Sequence, residues 1–184
     1  LHRAMKHVGP LREERGQATV FILLGPLPKP ARAYHQVLGV YAADLVEPMA
    51  HVLHGLGVQR GLSVYGTDGF DEISASAPTL VCEFKGDTFT TYTITPEQFG
   101  LTRGTKAELV GGTPRENAAI TRGILSGQIR GTKRNAVLLN AGAGLYVAGR
   151  TATLADGVAL AAALIDSGKA LASLDQYVAL SQGA

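Results

Sequence analysis

Two apolar runs bracket a segment of helical spacing, and that order constrains the fold of this chain more than any other feature. The runs are "YHQVLGVY" (34–41) and "GLSVYG" (61–66), and the segment between them is "AADLVEPMAHVLHGLG" (42–57). Within that segment Leu45, Met49, Val52, Leu53 and Leu56 recur at three- and four-residue intervals, and Gly57 stands where a helix C-cap is expected. A strand–helix–strand crossover normally lays its two strands parallel in one sheet. "TLVCEFKGDTFTTYTITP" (79–96) alternates instead, and its "KGD" is a hairpin turn signal, which predicts an antiparallel ribbon at the sheet's periphery. The predicted class is therefore α/β, a mostly parallel sheet flanked by helices with a small antiparallel ribbon.

The last third reads as helices with marked starts. Thr95, Pro96 and Gln98 form one start signal, and Thr113, Pro114 and Glu116 repeat it. "TKRNAVLLNAGAGLYVAG" opens as strand or helix, and its Ala141, Gly142, Ala143 and Gly144 point to close backbone packing. A helix is expected from Thr153 to about Ser167, ended by Gly168, and another starting at Ser173 with Gln176 at its third position. Residues 1–15 read as a helix bent at Pro10. "ATVFILLGPLPKP" (18–30) reads as a buried strand or short helix running into a stiff loop.

Bulk composition narrows the function classes. A length of 184 residues fits one domain, and a net charge of +2 lacks the basic stripe of a nucleic-acid wrapper. No run approaches the ~18 apolar residues of a membrane span. Cys82 is the single cysteine and cannot form an internal disulfide, so a cytoplasmic setting is expected. The chain opens without methionine, inside what reads as a helix, and is expected to belong to a longer protein.

The chemistry concentrates at "GFDEIS" (69–74), where Asp71 and Glu72 stand side by side just beyond the second strand. Adjacent carboxylates repel unless a cation lies near them. In open α/β sheets ligands collect outside the carboxyl ends of strands, and Mg²⁺ favours carboxylate and phosphate oxygens there. A solvated turn is the competing reading, since Asp and Gly are common in turns. His2, Lys6, His7 and Arg12 make the first helix basic; it could meet a carboxylate or phosphate, or be a solvated face. Gly25 and Pro26 in "LLGPL" could wall a flat aromatic pocket or end a strand. The two glycines of "GGTPRENAAI" precede a helix start, an anion-friendly arrangement that capping also explains.

Taken together, "LHRAMKHVGPLREERG", "TVFILLGPLPKPA", "QVLGVY", "YGTDGFDEIS", "TPEQFGL", "GGTPRENAAI", "NAGAGLYVAG" and "DGVALAAALIDSGKAL" resemble the carboxyl-terminal part of the anthranilate phosphoribosyltransferase family, in family order along nearly the whole chain. The resemblance implies a two-domain fold of the nucleoside-phosphorylase/phosphoribosyltransferase kind, usually a homodimer. Residues 1–184 would be part of its α/β domain, without the amino-terminal helical domain and first strands. It implies phosphoribosyl transfer from phosphoribosyl pyrophosphate (PRPP) to anthranilate with Mg²⁺, in tryptophan biosynthesis. Asp71 and Glu72 match the acidic pair that binds Mg²⁺, Arg12 matches the arginine on the anthranilate carboxylate, and His2, Gly25 and Pro26 match residues lining the acceptor's path. The chain departs from the family at Ala18, Ile22 and Lys29, where arginine and two asparagines are usual, and at Thr113, where aspartate is common. Residues 1–184 alone are expected to be inactive. Two alternatives are a pyrimidine nucleoside phosphorylase-like enzyme and a non-catalytic, nucleic-acid-binding relative.

Overall fold

β1 (His35–Gly39) and β2 (Arg60–Gly66) lie parallel in register, His35 opposite Arg60 and Gly39 opposite Val64. The computed structural model describes residues 33–183 and, before them, Leu27. Helix α1 (Val46–Gly55), entered through a short 3₁₀ turn at Ala43–Leu45, makes the crossover. Its Val46, Met49, Ala50 and Leu53 are buried, whereas Val52 and Leu56 are exposed, so the helical spacing marked the right face but made it too wide. Leu56 is the C-cap, and Gly57 follows at φ 90°, a left-handed conformation that glycine enters at no steric cost.

The sheet continues with β3 (Thr79–Lys85) and β4 (Thr88–Ile94), in the order β1-β2-β3-β4. β2 pairs antiparallel with β3 along seven residues, and β3 with β4 likewise. The α/β class and the antiparallel hairpin stand as expected, with Gly86 at φ 54° in the turn between Lys85 and Thr88. Among the described strands the sheet is mixed, with one parallel and two antiparallel pairings, and the hairpin forms one side of it with β4 at the edge. β2 is central and buried on both faces, which is why "GLSVYG" is apolar without alternation.

Each face carries its own helical cover. Phe84 on β3 and Phe89 on β4 meet His51 and His54 of α1. On the opposite face Leu62, Val64, Val81 and Ile94 pack with Leu138, Leu139, Ala143 and Val147 of α3 (Thr132–Val147) and with Val158, Ala161 and Ile165 of α4 (Leu154–Asp166). Burying each of the leucine, isoleucine and valine side chains contributes on the order of 1.5–3 kcal/mol. Glu83 ties the sheet to α3 by accepting hydrogen bonds from Tyr92 (2.9 Å) and Tyr146 (2.6 Å).

The "TKRNAVLLNAGAGLYVAG" segment is helix α3, and its glycine marks a close crossing. A Cβ on Gly142 would lie 2.6 Å from the backbone nitrogen of Val158, and one on Gly157 would lie 2.3 Å from the Gly142 carbonyl oxygen. α2 (Pro114–Leu125) and α4 begin where read, at Thr113 and Thr153, and Gly168 (φ 75°) ends α4. The expected start at Ser173 is corrected. α5 (Lys169–Ser181) runs unbroken through that residue from Gly168, because nothing between Lys169 and Ser173 interrupts helical geometry. Among the described residues no single helix is long and apolar enough to cross a membrane.

Candidate active site

The carboxyl ends of β1 and β2 open onto the segment 67–78, which carries Asp68, Asp71 and Glu72. Here β1 and the turn touch backbone to backbone. A Cβ on Gly39, the last residue of β1, would fall 1.4 Å from the carbonyl oxygen of Asp71, so no other residue fits without moving the turn. The acidic pair is thus seated against the ends of the parallel strands, the place at which open α/β sheets gather ligands.

Hydrogen bonds within the segment account for its shape. The Gly66 amide donates to the Phe70 carbonyl at 2.8 Å, and the Gly69 amide to the Gly66 carbonyl at 2.8 Å. Gly69 sits at φ 90°, and a Cβ on Gly66 would lie 2.8 Å from Asp68 Oδ1, so both glycines are required by the turn. The Asp68 carboxylate faces inward and accepts from the hydroxyls of Ser74 (2.8 Å) and Ser76. Partial burial pushes that carboxyl up, but the two hydroxyls and the Lys106 ammonium outweigh it and hold it below its ordinary value. Its Oδ1 is buried and has no hydrogen-bond partner among the described residues.

Among the described residues, two side chains reach the segment from elements distant in sequence. Asn140 on α3 accepts from the Ile73 amide at 3.0 Å and donates to the Ile73 carbonyl at 2.9 Å, as a neighbouring strand would. Lys106, from the 3₁₀ turn Lys106–Leu109, donates to the Asp68 carbonyl at 2.8 Å, and its ammonium lies 4.8 Å from the centre of the Phe70 ring. Sequence reading missed both. Asn140 sat inside the small-residue motif and Lys106 in an uncommitted loop, and neither carries a local signal of what it would face.

Asp71 and Glu72 are exposed, and among the described residues neither is ion-paired with a lysine, arginine or histidine. Loss of water around its carboxyl, together with the adjacent Asp71 carboxylate, pushes Glu72 above the usual carboxylate range. The two carboxyls are close enough for a hydrogen bond between them, which raises Glu72 further. Two hard oxygen donors side by side, repelling each other and free of protein cations, suit a divalent cation that completes its shell with water and phosphate. Among the described residues no group of three or more His, Cys, Asp or Glu side chains could enclose a metal, so a closed cage is not the geometry here.

A narrow apolar cavity of about 170 Å³ adjoins the pair, lined by Phe70, Glu72, Ile73, Ala75, Leu109 and Asn140 among others. A wider one of about 680 Å³, lined by His35, His54, Gln59, Arg60 and Lys85, opens at the amino ends of β1 and β2, at the other end of the strands from the acidic turn. Its size does not make it the reactive centre, because no chemistry converges there.

Of the other residues singled out in the sequence, His2, Arg12, Gly25 and Pro26 lie outside the described residues. So do Ala18, Ile22 and Lys29. Of the two glycines before α2, Gly112 has its amide taken within the chain, as has Thr113 after it. The Gly112 amide donates to Asn117 Oδ1 at 2.8 Å and the Thr113 amide to Glu116 at 2.7 Å. Thr113 accepts from the Glu116 amide at 3.4 Å and completes a capping box.

Residues 1–171 match the model of a glycosyl transferase family, a/b domain. The anthranilate phosphoribosyltransferase of Methanobrevibacter smithii is 52% identical over 177 residues, covering 96% of this chain and 52% of that protein. The crystal structure of the Thermus thermophilus anthranilate phosphoribosyltransferase superposes with a TM-score of 0.88 at 47% identity, covering 97% of this chain and 52% of that one. The Saccharomyces cerevisiae anthranilate phosphoribosyltransferase in complex with PRPP and Mg superposes at 0.87 with 27% identity, covering 100% of this chain and 53% of that one. The chain spans about half the length of the curated relatives it matches.

Proposed function

The chain belongs to the glycosyl transferase family with the a/b domain, and from that premise we propose that it is the ligand-binding half of an anthranilate phosphoribosyltransferase. Within such an enzyme residues 1–184 form the carboxyl-terminal part of the α/β domain. The reaction breaks the bond between ribose C1 and diphosphate in PRPP and forms a bond from C1 to the anthranilate nitrogen, which gives up a proton. The observation that carries the reading is the acidic pair at the carboxyl ends of parallel strands, in a chain about half identical to such enzymes along nearly its whole length. The phosphorylase-like and nucleic-acid-binding alternatives have no comparable support.

In this reading Asp71 and Glu72 hold Mg²⁺ next to the diphosphate. The cation, when bound, neutralises the charge that grows on the leaving group. Arg12 holds the anthranilate carboxylate in a bidentate grip so that the amine faces C1, a positioning role. His2, Gly25 and Pro26 line the acceptor's path. The complete enzyme acts in tryptophan biosynthesis, in the cytoplasm and as a homodimer.

The test is steady-state turnover of anthranilate and PRPP by the full-length protein over a range of Mg²⁺ concentrations. Asp71→Asn and Glu72→Gln are each expected to lower kcat/KM by about 10²-fold or more, the cost typical of losing a group that stabilises developing charge. Arg12→Ala is expected to act mainly on the KM for anthranilate. Turnover that is indifferent to Mg²⁺ and to both carboxamide substitutions would overturn the proposal.

A further inference from the structure

We propose that Asn140 and Lys106 are positioning residues for the acidic turn, gripping its two flanks so that Asp71 and Glu72 stay together before any cation arrives. The inference rests on the reading of that pair as ligands of a divalent cation. Two adjacent carboxylates repel and would relax apart if the backbone were free to turn. The backbone is not free. On the carboxyl side Asn140 takes both the amide and the carbonyl of Ile73, the residue directly after Glu72. A third bond, from Asn140 Nδ2 to the Ala136 carbonyl at 2.9 Å, orients the amide against its own helix.

On the amino side Lys106 holds the Asp68 carbonyl, and its ammonium lies over Phe70, the residue directly before Asp71. Beneath the pair the close approach of Gly39 leaves the Asp71 carbonyl no room to retreat. The two grips come from different elements, α3 and a 3₁₀ turn, so neither follows from the turn's own sequence. Lys106 makes its grip without ion-pairing to Asp71 or Glu72, so it holds the turn while leaving their oxygens free.

Outer residues that orient metal ligands typically contribute about 10- to 100-fold in affinity. The full-length protein is titrated with MnCl₂, a paramagnetic stand-in for Mg²⁺, and free Mn²⁺ is followed by electron paramagnetic resonance. Wild type, Lys106→Met, Lys106→Arg, Asn140→Ala and Glu72→Gln are compared, each with a thermal melt. Lys106→Met and Asn140→Ala are expected to raise the Kd for Mn²⁺ by about 10-fold or more while remaining folded, with Lys106→Arg closer to wild type. A purely structural role would lower Tm and leave the Kd of the folded protein unchanged. If Asn140→Ala fails to fold, the exposed Lys106 decides the matter. Wild-type affinity in folded Lys106→Met and Asn140→Ala overturns the positioning role. Wild-type protein that leaves Mn²⁺ free, or Glu72→Gln that binds it unchanged, overturns the ligand reading and this inference with it.

Discussion

At Gly39 the strand end and the acidic turn share a space that one methyl group would fill. Its Cβ position lies 1.4 Å from the Asp71 carbonyl oxygen, and that contact is backbone, which cannot swing aside. Gly39→Ala is therefore expected to destabilise the protein by about 1–3 kcal/mol, the usual cost of overpacking, and to displace Asp71. A thermal melt and a Mn²⁺ titration read the two effects separately. Asp68 and Glu72 titrate in opposite senses. Asp68 is held below its ordinary value, so its contribution to stability is present above the unfolded pKa of about 3.9 and disappears as pH falls through the folded value. Asp68→Asn should flatten the acid limb of a Tm-against-pH curve. Glu72 is pushed upward, so stability falls as pH rises past the unfolded value of about 4.3, and the full cost is present above the raised folded value. Glu72→Gln is expected to raise Tm at neutral pH by about 1–2 °C, as a small surface effect, with no gain below about pH 4. A stabilised but poorly active Glu72→Gln would be the usual trade at a functional carboxylate.

The crossing of α3 on α4 opposes helix propensity to packing. Replacing a mid-helix glycine by alanine normally gains up to about 1 kcal/mol. At Gly142 the added Cβ would meet the backbone of Val158 at 2.6 Å, and steric cost wins. Gly142→Ala is expected to lower stability by about 1–3 kcal/mol, measured by urea denaturation. Gly144 lies on the same helix with nothing within 4 Å of its Cβ position, so Gly144→Ala should be neutral or stabilising. The pair separates a packing glycine from a tolerated one within a single motif. The small-residue run announced a close approach, but only the partner helix shows that Gly142 makes it.

Across the described molecule, burial is uneven. β2 is enclosed on both faces and paired on both edges, whereas α5 buries none of its residues completely. Opening free energies should follow that gradient. Amide hydrogen exchange is expected to be slowest at Leu62–Val64 and fastest, among the helices, in α5; equal protection of the two would contradict it.

Much of this was legible in the chain itself. Strand alternation, the crossover order, the Gly86 turn and the caps at Thr95, Thr113 and Thr153 are local or short-range matters, settled by backbone sterics and hydrogen bonds within a few residues. The carboxylates Asp71 and Glu72 also drew notice on their own, because adjacent like charges are costly wherever they occur. Other features needed the folded chain. That the sheet is mixed depends on which strand β2 meets on its second edge. That helix α5 begins at Lys169, before Ser173, depends on where Gly168 turns. Asn140 reaches Ile73 across 67 residues and Lys106 reaches Asp68 across 38, and no local preference encodes either contact. Sequence determined which residues could carry charge at the strand ends; tertiary structure decided what holds those charges together, because that restraint comes from elements far away along the chain.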